Sequence, residues 1–196
     1  MTAYRLAWTT PAGELLAIEP DDGEVTAHAP ALAAAYNDPH NARLLGHGSL
    51  LTASDVQEHY TMLREAGAHG FLLMRDGVLA GDGDLRAIAD GAAEFAFLIA
   101  SPGAQGKGLG TRFALMIHAF AFRSLMLDRL YAAVVPDNLA SRRVFEKLGY
   151  VVDDGPRARS FGDAGDVVLR LDRASFLRDR APMLDEIRIA ARQMPR

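Results

Sequence analysis

A glycine-rich stretch in the middle of the chain, Gln105–Thr111 (QGKGLGT), carries the clearest chemical signal. It follows a near-continuous apolar run, Ala93–Ala100, which is typical of a buried strand, and it opens onto the helical pattern of Thr111–Leu127. Glycines remove the Cβ atoms that would block an approaching phosphate, and a helix N-terminus offers unpaired N–H groups with a partial positive charge. Lys107 adds a full positive charge. The stretch therefore predicts binding of a phosphate or pyrophosphate group.

The spacing of these glycines separates the known kinds of phosphate loop. A P-loop needs G-x-x-x-x-G-K-[ST], but Ser101 stands where the first glycine is required and Gly108 stands where Ser or Thr is required. A dinucleotide fingerprint needs G-x-G-x-x-G, which fails from either starting glycine. The pattern that fits is Q-x-x-G-x-G, formed by Gln105, Gly108 and Gly110. From the loop alone, a glycine-rich turn that merely caps a helix remains an alternative.

Four further motifs accompany this pattern. Asn138–Ser141 (NLAS) and Val144–Tyr150 (VFEKLGY) lie downstream, and Tyr36–Pro39 (YNDP) and Ala80–Leu85 (AGDGDL) lie upstream. Together with Q-x-x-G-x-G, the downstream motifs resemble the GNAT N-acetyltransferase superfamily. The upstream motifs are similar to its RimJ/RimL-like branch, whose members acetylate the N-termini of ribosomal proteins. The resemblance spans about Leu15 to Leu171.

The order of predicted elements agrees with the fold that the resemblance implies. Helical patterns over Pro30–Tyr36 and Thr52–Ala66 precede three strands joined by tight turns, after which helices and strands alternate. We expect one α/β (α+β) acetyltransferase domain over residues 1–173. Its sheet should be mixed, mostly antiparallel and twisted, with helices on both faces and a splayed pair of parallel strands. Residues 174–196 are expected to form a helical extension, with an amphipathic helix over Met183–Gln193.

The resemblance implies acetyl-CoA as co-substrate and direct transfer of its acetyl group to an amine. It places the pantetheine arm along the backbone of Leu98, Ile99 and Ala100. It places the pyrophosphate on the loop and the first helical turn, at Gln105, Gly106, Lys107, Gly108, Leu109, Gly110 and Thr111. The side chain of Asn138 would touch the pantetheine, although an Asn before a helix can equally be its N-cap. Phe145 is expected beside the cofactor, where many relatives have a proton-donating tyrosine.

Two residues are candidates for moving protons. Glu94 lies on the strand that enters the loop, where the family often places its base, and we expect it to act on the amine through water. Alternatively, Glu94 is a solvated glutamate of the strand that only faces a neighbouring cation. Ser141 matches the serine that the RimL-like branch is thought to use toward the departing thiolate; alternatively, it bonds its own helix backbone. A weak base suffices for an N-terminal α-amine, whose deprotonation at pH 7 costs only about 1 kcal/mol against roughly 4.6 kcal/mol for a lysine.

The composition restricts the other possibilities. The chain has 196 residues, 49% of them hydrophobic, and no cysteine, which excludes disulfides, thiolate metal sites and a cysteine nucleophile. A net charge of −4 provides no general basic field for nucleic acid. No apolar run approaches the roughly 18 residues of a membrane span, and Met1–Thr10 lacks the apolar core of a secretory signal. The histidines show no i, i+4 pair, so we expect no metal and a cytoplasmic location.

The acceptor amine is left open, because a protein N-terminal amine and a small-molecule amine both fit these residues. We expect its pocket to be built by Asn41–Leu51 and Gly155–Gly165, where Arg157 and Arg159 are candidates for holding an acidic acceptor. Two other functions remain as alternatives: a non-catalytic acyl-CoA-binding sensor, suggested by Phe145, and a nucleotide-binding protein, suggested by the loop alone. The tail helix is compatible with a homodimer or with a cover for the sheet.

Overall fold

The computed structural model of the protein describes residues 2–11, 13–46, 48–100 and 106–193. Within these ranges, no helix has the length and the apolar character that a bilayer crossing requires. The elements in chain order are β1 (Ala3–Thr10), β2 (Gly13–Ile18), α1 (Asp22–Tyr36), α2 (Pro39–Leu45), α3 (Ala53–Glu65), β3 (His69–Arg75), β4 (Val78–Ala89), β5 (Ala92–Ile99), α4 (Leu109–Arg123), β6 (Arg129–Val134), α5 (Leu139–Leu148), β7 (Val151–Val152), a 3₁₀ turn (Ala158–Ser160), β8 (Val167–Asp172), α6 (Arg173–Leu184) and β9 (Arg188–Arg192).

These strands form one sheet in the order β7-β8-β6-β5-β4-β3-β2-β1-β9. Strands β5 and β6 are parallel, and the other neighbouring pairs are antiparallel. The β5–β6 ladder ends after three residue pairs, where Glu94 faces Tyr131. Because β5 continues to Ile99 without further pairing to β6, the two strands separate and open a cleft. The mostly antiparallel sheet with one splayed parallel pair confirms the predicted fold class.

Helices cover both faces of the sheet, as the side chains of β3 show. Phe71 and Leu73 pack into the large core cluster that includes most of α4. Leu72 belongs instead to the cluster formed with α1 and α3, through residues such as Leu32 and Tyr60. Because successive side chains of a strand point in opposite directions, one strand contributes to both cores.

Local capping determines where the helices beside the cleft begin and end. Before α3, the hydroxyl of Thr52 accepts the N–H of Asp55, while the Asp55 carboxylate accepts the N–H of Thr52. The N-cap of α5 is Asn138, and its C-cap is Gly149, with φ at 96° in the left-handed region that favours glycine. Both ends of α5 therefore carry residue types that helix caps favour.

The first helix is longer than expected. It begins at Asp22 rather than Pro30, because Asp21 and Glu24 form a reciprocal capping box upstream of the proline. The helix ends before Pro39 as expected, but the proline immediately opens α2. This short helix is important for the site because its last turn lies over the cleft.

The C-terminal segment differs from the expected amphipathic helix over Met183–Gln193, and that prediction was wrong. Helix α6 ends at Leu184, and Arg188–Arg192 form β9, which pairs antiparallel with β1. The edge of β1 offers backbone hydrogen-bond partners, and the Arg192 guanidinium binds the Glu24 carboxylate through two hydrogen bonds. These long-range interactions outweigh the local helical pattern.

Candidate active site

Two pockets occupy the cleft that opens where β5 and β6 separate. The first, here called the loop pocket, has a volume of about 300 Å³ and lies at the N-terminus of α4. The second, called the acidic pocket, has a volume of about 370 Å³ and reaches toward α1 and α3. The two pockets share a set of lining residues: Leu44, Leu45, Phe97, Asn138 and Ser141. The cleft is therefore continuous from the glycine loop to the acidic pocket.

The start of α4 has the geometry that the glycine pattern predicts. Gly108 is the N-cap with φ at 77°, and no side chain of the described residues caps this end. The first intrahelical bond runs from the N–H of Arg112 to the carbonyl of Gly108, so the N–H groups of the preceding helical turn have no intrahelical partner. Gly106, Gly108 and Thr111 line the loop pocket. These donors and the partial positive charge of the helix end can hold an anion.

The other loop residues that were predicted to bind the pyrophosphate differ in their burial and in whether they line the pocket. Gly110 lines the pocket, and a Cβ atom there would come within 3.0 Å of the Phe97 ring. Lys107 is exposed, whereas the side chain of Leu109 is buried in the core, so only its backbone can serve a ligand. Gln105 lies outside the described residues.

The walls of the loop pocket combine apolar and basic side chains. Leu98 and Ile99 line it from β5, while the N–H of Ala100 is bonded to the carbonyl of Ala80. Arg143 and Lys147 line it from α5. Among the described residues of this pocket there is no carboxylate, so the wall carries net positive charge.

Asn138 and Ser141 stand where the two pockets meet. The Asn138 carbonyl oxygen accepts the N–H of Ser141 at 3.0 Å, which makes it the N-cap of α5. The Asn138 amide donates to the carbonyl of Leu44 at 3.0 Å. The side chain thus joins α5 to the last turn of α2, and the N-cap alternative is observed.

The acidic pocket is defined by its charge. Of the residues that the structure describes, six carboxylates line it, against one arginine, Arg86, and one histidine, His59. The six are Asp55, Asp82, Asp84, Glu94, Asp163 and Asp166. Leu44, Leu45 and Leu51 from the expected segment 41–51, and Gly162 with Asp163 from the expected segment 155–165, also contribute.

Glu94, the predicted base, lies in this pocket as half of an ion pair. It faces Arg86 across the β4–β5 ladder, and the guanidinium donates to both carboxylate oxygens, at 2.9 and 3.2 Å. Burial opposes the charge on Arg86, but its hydrogen bond to Glu94 and the nearby Asp84 outweigh that effect and raise the pKa of Arg86. The neighbouring cation of the alternative is therefore observed, but Glu94 is buried, at 8% exposure, and not solvated.

Asp82 is a second carboxylate that sequence reasoning did not select. It is 3% exposed, and the Tyr36 hydroxyl lies 2.9 and 3.0 Å from its two oxygens. Burial raises the pKa of Asp82 to about 7, and the nearby Asp84 adds to this, while the hydrogen bond from Tyr36 opposes it. Burial also raises the pKa of Tyr36, which keeps its proton for donation. The only local signal was an acidic residue between two glycines of a strand.

Phe145 lines the acidic pocket rather than the loop pocket. Its ring is buried against Phe95, Phe97 and Tyr150. The Tyr150 hydroxyl lies 2.7 Å from Nε2 of buried His118 and so belongs to the core. Within the part of the chain that the structure describes, no group of three or more histidine, aspartate or glutamate residues is arranged to hold a metal ion.

A comparison with protein families gives this cleft its context. The sequence profile described as "Acetyltransferase (GNAT) domain" matches residues 24–151, more than half of the chain. The chain belongs to the GNAT acetyltransferase family. The resemblance read from the motifs is confirmed, and the matched range contains both pockets up to α5.

Relatives of this GNAT domain include bacterial acetyltransferases. It is 36% identical over 83 residues to the probable N-acetyltransferase YjcK of Bacillus subtilis, covering 41% of the chain and 46% of that protein. It is 41% identical over 61 residues to the spermidine N(1)-acetyltransferase of Escherichia coli, covering 31% of the chain and 32% of that protein. The chain thus matches less than half the length of either relative. The structure of Mycobacterium smegmatis RimJ in complex with CoA-disulfide has a TM-score of 0.66 at 17% identity, covering 91% of this chain and 94% of that one, which confirms the fold.

Proposed function

We propose that this protein is an acetyl-CoA-dependent N-acetyltransferase that transfers the acetyl group directly to a primary amine, of a protein N-terminus or of a small molecule. The observation that carries the proposal is the continuous cleft with opposite charge at its two ends. Its loop pocket offers an uncapped helix N-terminus and basic side chains, which suit a pyrophosphate. Its acidic pocket suits a cationic amine. Membership of the GNAT family supports the same activity.

We place coenzyme A in the loop pocket, where none of the described side chains caps the N-terminus of α4. The pyrophosphate would bind the N–H groups from Gly106 to Thr111, with Gln105 and Lys107 beside it. Arg143 and Lys147 would supply positive charge from the opposite wall. The pantetheine arm would run along residues 98–100 toward the junction of the two pockets. Acetyl-CoA supplies a thioester carbonyl that is open to attack by an amine.

The transfer forms a C–N bond, breaks the C–S bond and moves one proton away from the amine. Glu94 is the proposed base, acting through a water molecule, and Asp82 is a second carboxylate in the same pocket. A pKa of about 7 leaves a large fraction of Asp82 ionised and able to accept a proton at neutral pH. Ser141, at the junction, is the proposed hydrogen-bond donor to the departing thiolate.

Release of free CoA from acetyl-CoA, followed in the presence and absence of amines, tests the activity. Amine-dependent release supports the enzyme, whereas tight CoA binding without release for any amine would favour an acyl-CoA sensor. The sensor remains an alternative because Phe145 cannot donate a proton. Absence of CoA binding would refute both.

The variant Gly108→Asp tests the placement of the pyrophosphate. It adds a negative charge where the proposal places an anion, and we expect at least a tenfold loss of CoA affinity by calorimetry. Gly77→Asp is the matched control, because Gly77 is an exposed turn glycine with φ at 79° against 77° for Gly108, so the backbone strain is alike. Equal CoA affinity in the two variants would contradict the placement.

A further inference from the structure

We infer that the acceptor carries at least two positive charges: the primary amine that reacts, and a second cationic nitrogen held by Asp84. Linear polyamines and amino sugars share this chemistry. The inference rests on the proposed function and makes it more specific. It follows from the charge balance of the acidic pocket, from the positions of its carboxylates along β4, and from the unsatisfied state of Asp84.

The charge of the acidic pocket exceeds what a single ammonium group would need. Among the described residues, six carboxylates line it against Arg86 and His59, and Arg86 is shared between Glu94, which it hydrogen-bonds, and Asp84, which lies 3.6 Å away. The surplus is specific to this end of the cleft, because Arg143 and Lys147 line the loop pocket and no carboxylate does so among its described residues. A cleft lined by one sign of charge attracts and orients ligands of the opposite sign.

The register of β4 places two of these carboxylates one after the other along the length of the pocket. Asp82 pairs with Leu98, which lines the loop pocket, and Asp84 pairs with Ala96, one step farther from it. Residues that alternate on one face of a strand are about 7 Å apart. An extended ligand whose reacting amine lies near Asp82 therefore brings a second nitrogen, a few bonds away, to Asp84.

Asp84 is a buried carboxylate with too few hydrogen-bond donors around it. It is 7% exposed, and its buried Oδ1 has no hydrogen-bond partner among the residues that the structure describes. Its cationic neighbours, Arg86 and His59, are both 3.6 Å away, beyond hydrogen-bond distance. A buried acceptor without a donor is destabilising, and an ammonium group supplies strong charge-assisted bonds. Asp84 is therefore the carboxylate that a second cationic nitrogen would satisfy.

The two arginines considered for an acidic acceptor are engaged elsewhere. Arg157 donates to the carbonyl of Ala89 at 2.6 Å and lies 3.8 Å from Asp90, and Arg159 donates to the carbonyl of Asp154. Neither lines the acidic pocket. An anionic acceptor would therefore meet carboxylates without these counter-charges.

The test compares amines that differ only in the second charge. We expect kcat/KM for 1,4-diaminobutane to exceed that for 1-aminobutane at least tenfold in the unaltered protein. Asp84→Asn should reduce this ratio at least tenfold, toward one. Asp163 is an exposed residue of the pocket, so Asp163→Asn should leave the fold stable. This variant should reduce the ratio of the two kcat/KM values by a smaller factor than Asp84→Asn does. Asp154→Asn, exposed and outside the pocket, is the matched control and should leave the ratio unchanged.

Three results would overturn the inference: equal kcat/KM for the two amines, a ratio that Asp84→Asn does not change, or a preference for a neutral tripeptide with a free N-terminus. Spermidine and kanamycin, assayed in parallel, distinguish a linear polyamine from an amino sugar. If no amine is acetylated, the proposed activity fails, but calorimetric binding of spermidine still tests the inference. Binding that weakens at least tenfold in Asp84→Asn supports it, and binding that is absent or unchanged refutes it. Unfolding temperatures establish that the variants are folded.

Discussion

Replacing Asp82 by Asn should remove a pH dependence from the stability of the fold. Burial raises the pKa of Asp82 from 3.8 to about 7. The charged and titratable groups around it are Asp84 on the same strand, Tyr36 on α1, and His59 and Tyr60 on α3. The Asn side chain keeps an acceptor for the Tyr36 hydroxyl and has nearly the same shape, so the variant changes charge more than packing.

The sign and the size of the effect follow from the two pKa values. A carboxyl group whose pKa is raised by folding stabilises the fold fully below pH 3.8, and this stabilisation is lost as the pH rises through about 7. Each pH unit within that window changes the free energy of unfolding by about 1.4 kcal/mol. Between about pH 5.5 and about pH 8.5, the ionisation of Asp82 should therefore lower the free energy of unfolding by about 2 kcal/mol.

Urea unfolding at both pH values measures this difference. The unaltered protein should lose about 2 kcal/mol more than Asp82→Asn over the interval. Asp154→Asn, which removes an exposed carboxylate, should behave like the unaltered protein. An equal loss in Asp82→Asn and in the unaltered protein would refute the assignment of a raised pKa to Asp82.

Three further predictions concern other parts of the structure. Glu94→Gln should lower kcat/KM and flatten its dependence on pH at the acidic end, because the proposed base is gone; an unchanged pH profile would exclude Glu94 from proton transfer. Asn138→Ala should lower the free energy of unfolding by about 1 to 2 kcal/mol in urea, since it removes a helix cap and the bond to Leu44. Arg192→Leu should speed hydrogen exchange of the β9 amides, because the bonds to Glu24 are lost, and unaltered exchange there would show that backbone pairing alone holds the strand.

The parts of the fold that were predicted correctly depend on short-range chemistry. Asn138 immediately precedes α5 and Gly149 immediately follows it, and the types of these two residues alone indicate where the helix begins and ends. The glycine loop was recognisable for the same reason, because Gly108 at a positive φ is a local requirement of the N-terminus of α4. Features of this kind involve only a few consecutive residues.

The acidic pocket depends on contacts that the sequence does not display. The hydroxyl of Tyr36 reaches Asp82 across 46 positions of the chain. The pairing of Glu94 with Arg86 required the register of the β4–β5 hairpin, which shifts between Arg86 and Ala89. A one-residue slip would move these side chains to the other face of the sheet. The pattern therefore indicated a strand with acidic residues, but not which face they occupy.

The two oppositely charged pockets of the cleft bear on whether cofactor and acceptor bind together before the acetyl group is transferred. Cofactor and acceptor would occupy pockets that meet at Asn138 and Ser141 instead of overlapping, so both can be bound at once. Transfer through a covalent acetyl-cysteine is excluded because the chain has no cysteine. A single direct step from a ternary complex is the simplest mechanism that these two facts support. Initial rates measured over both substrate concentrations should then give intersecting reciprocal plots, and parallel plots would indicate a covalent intermediate.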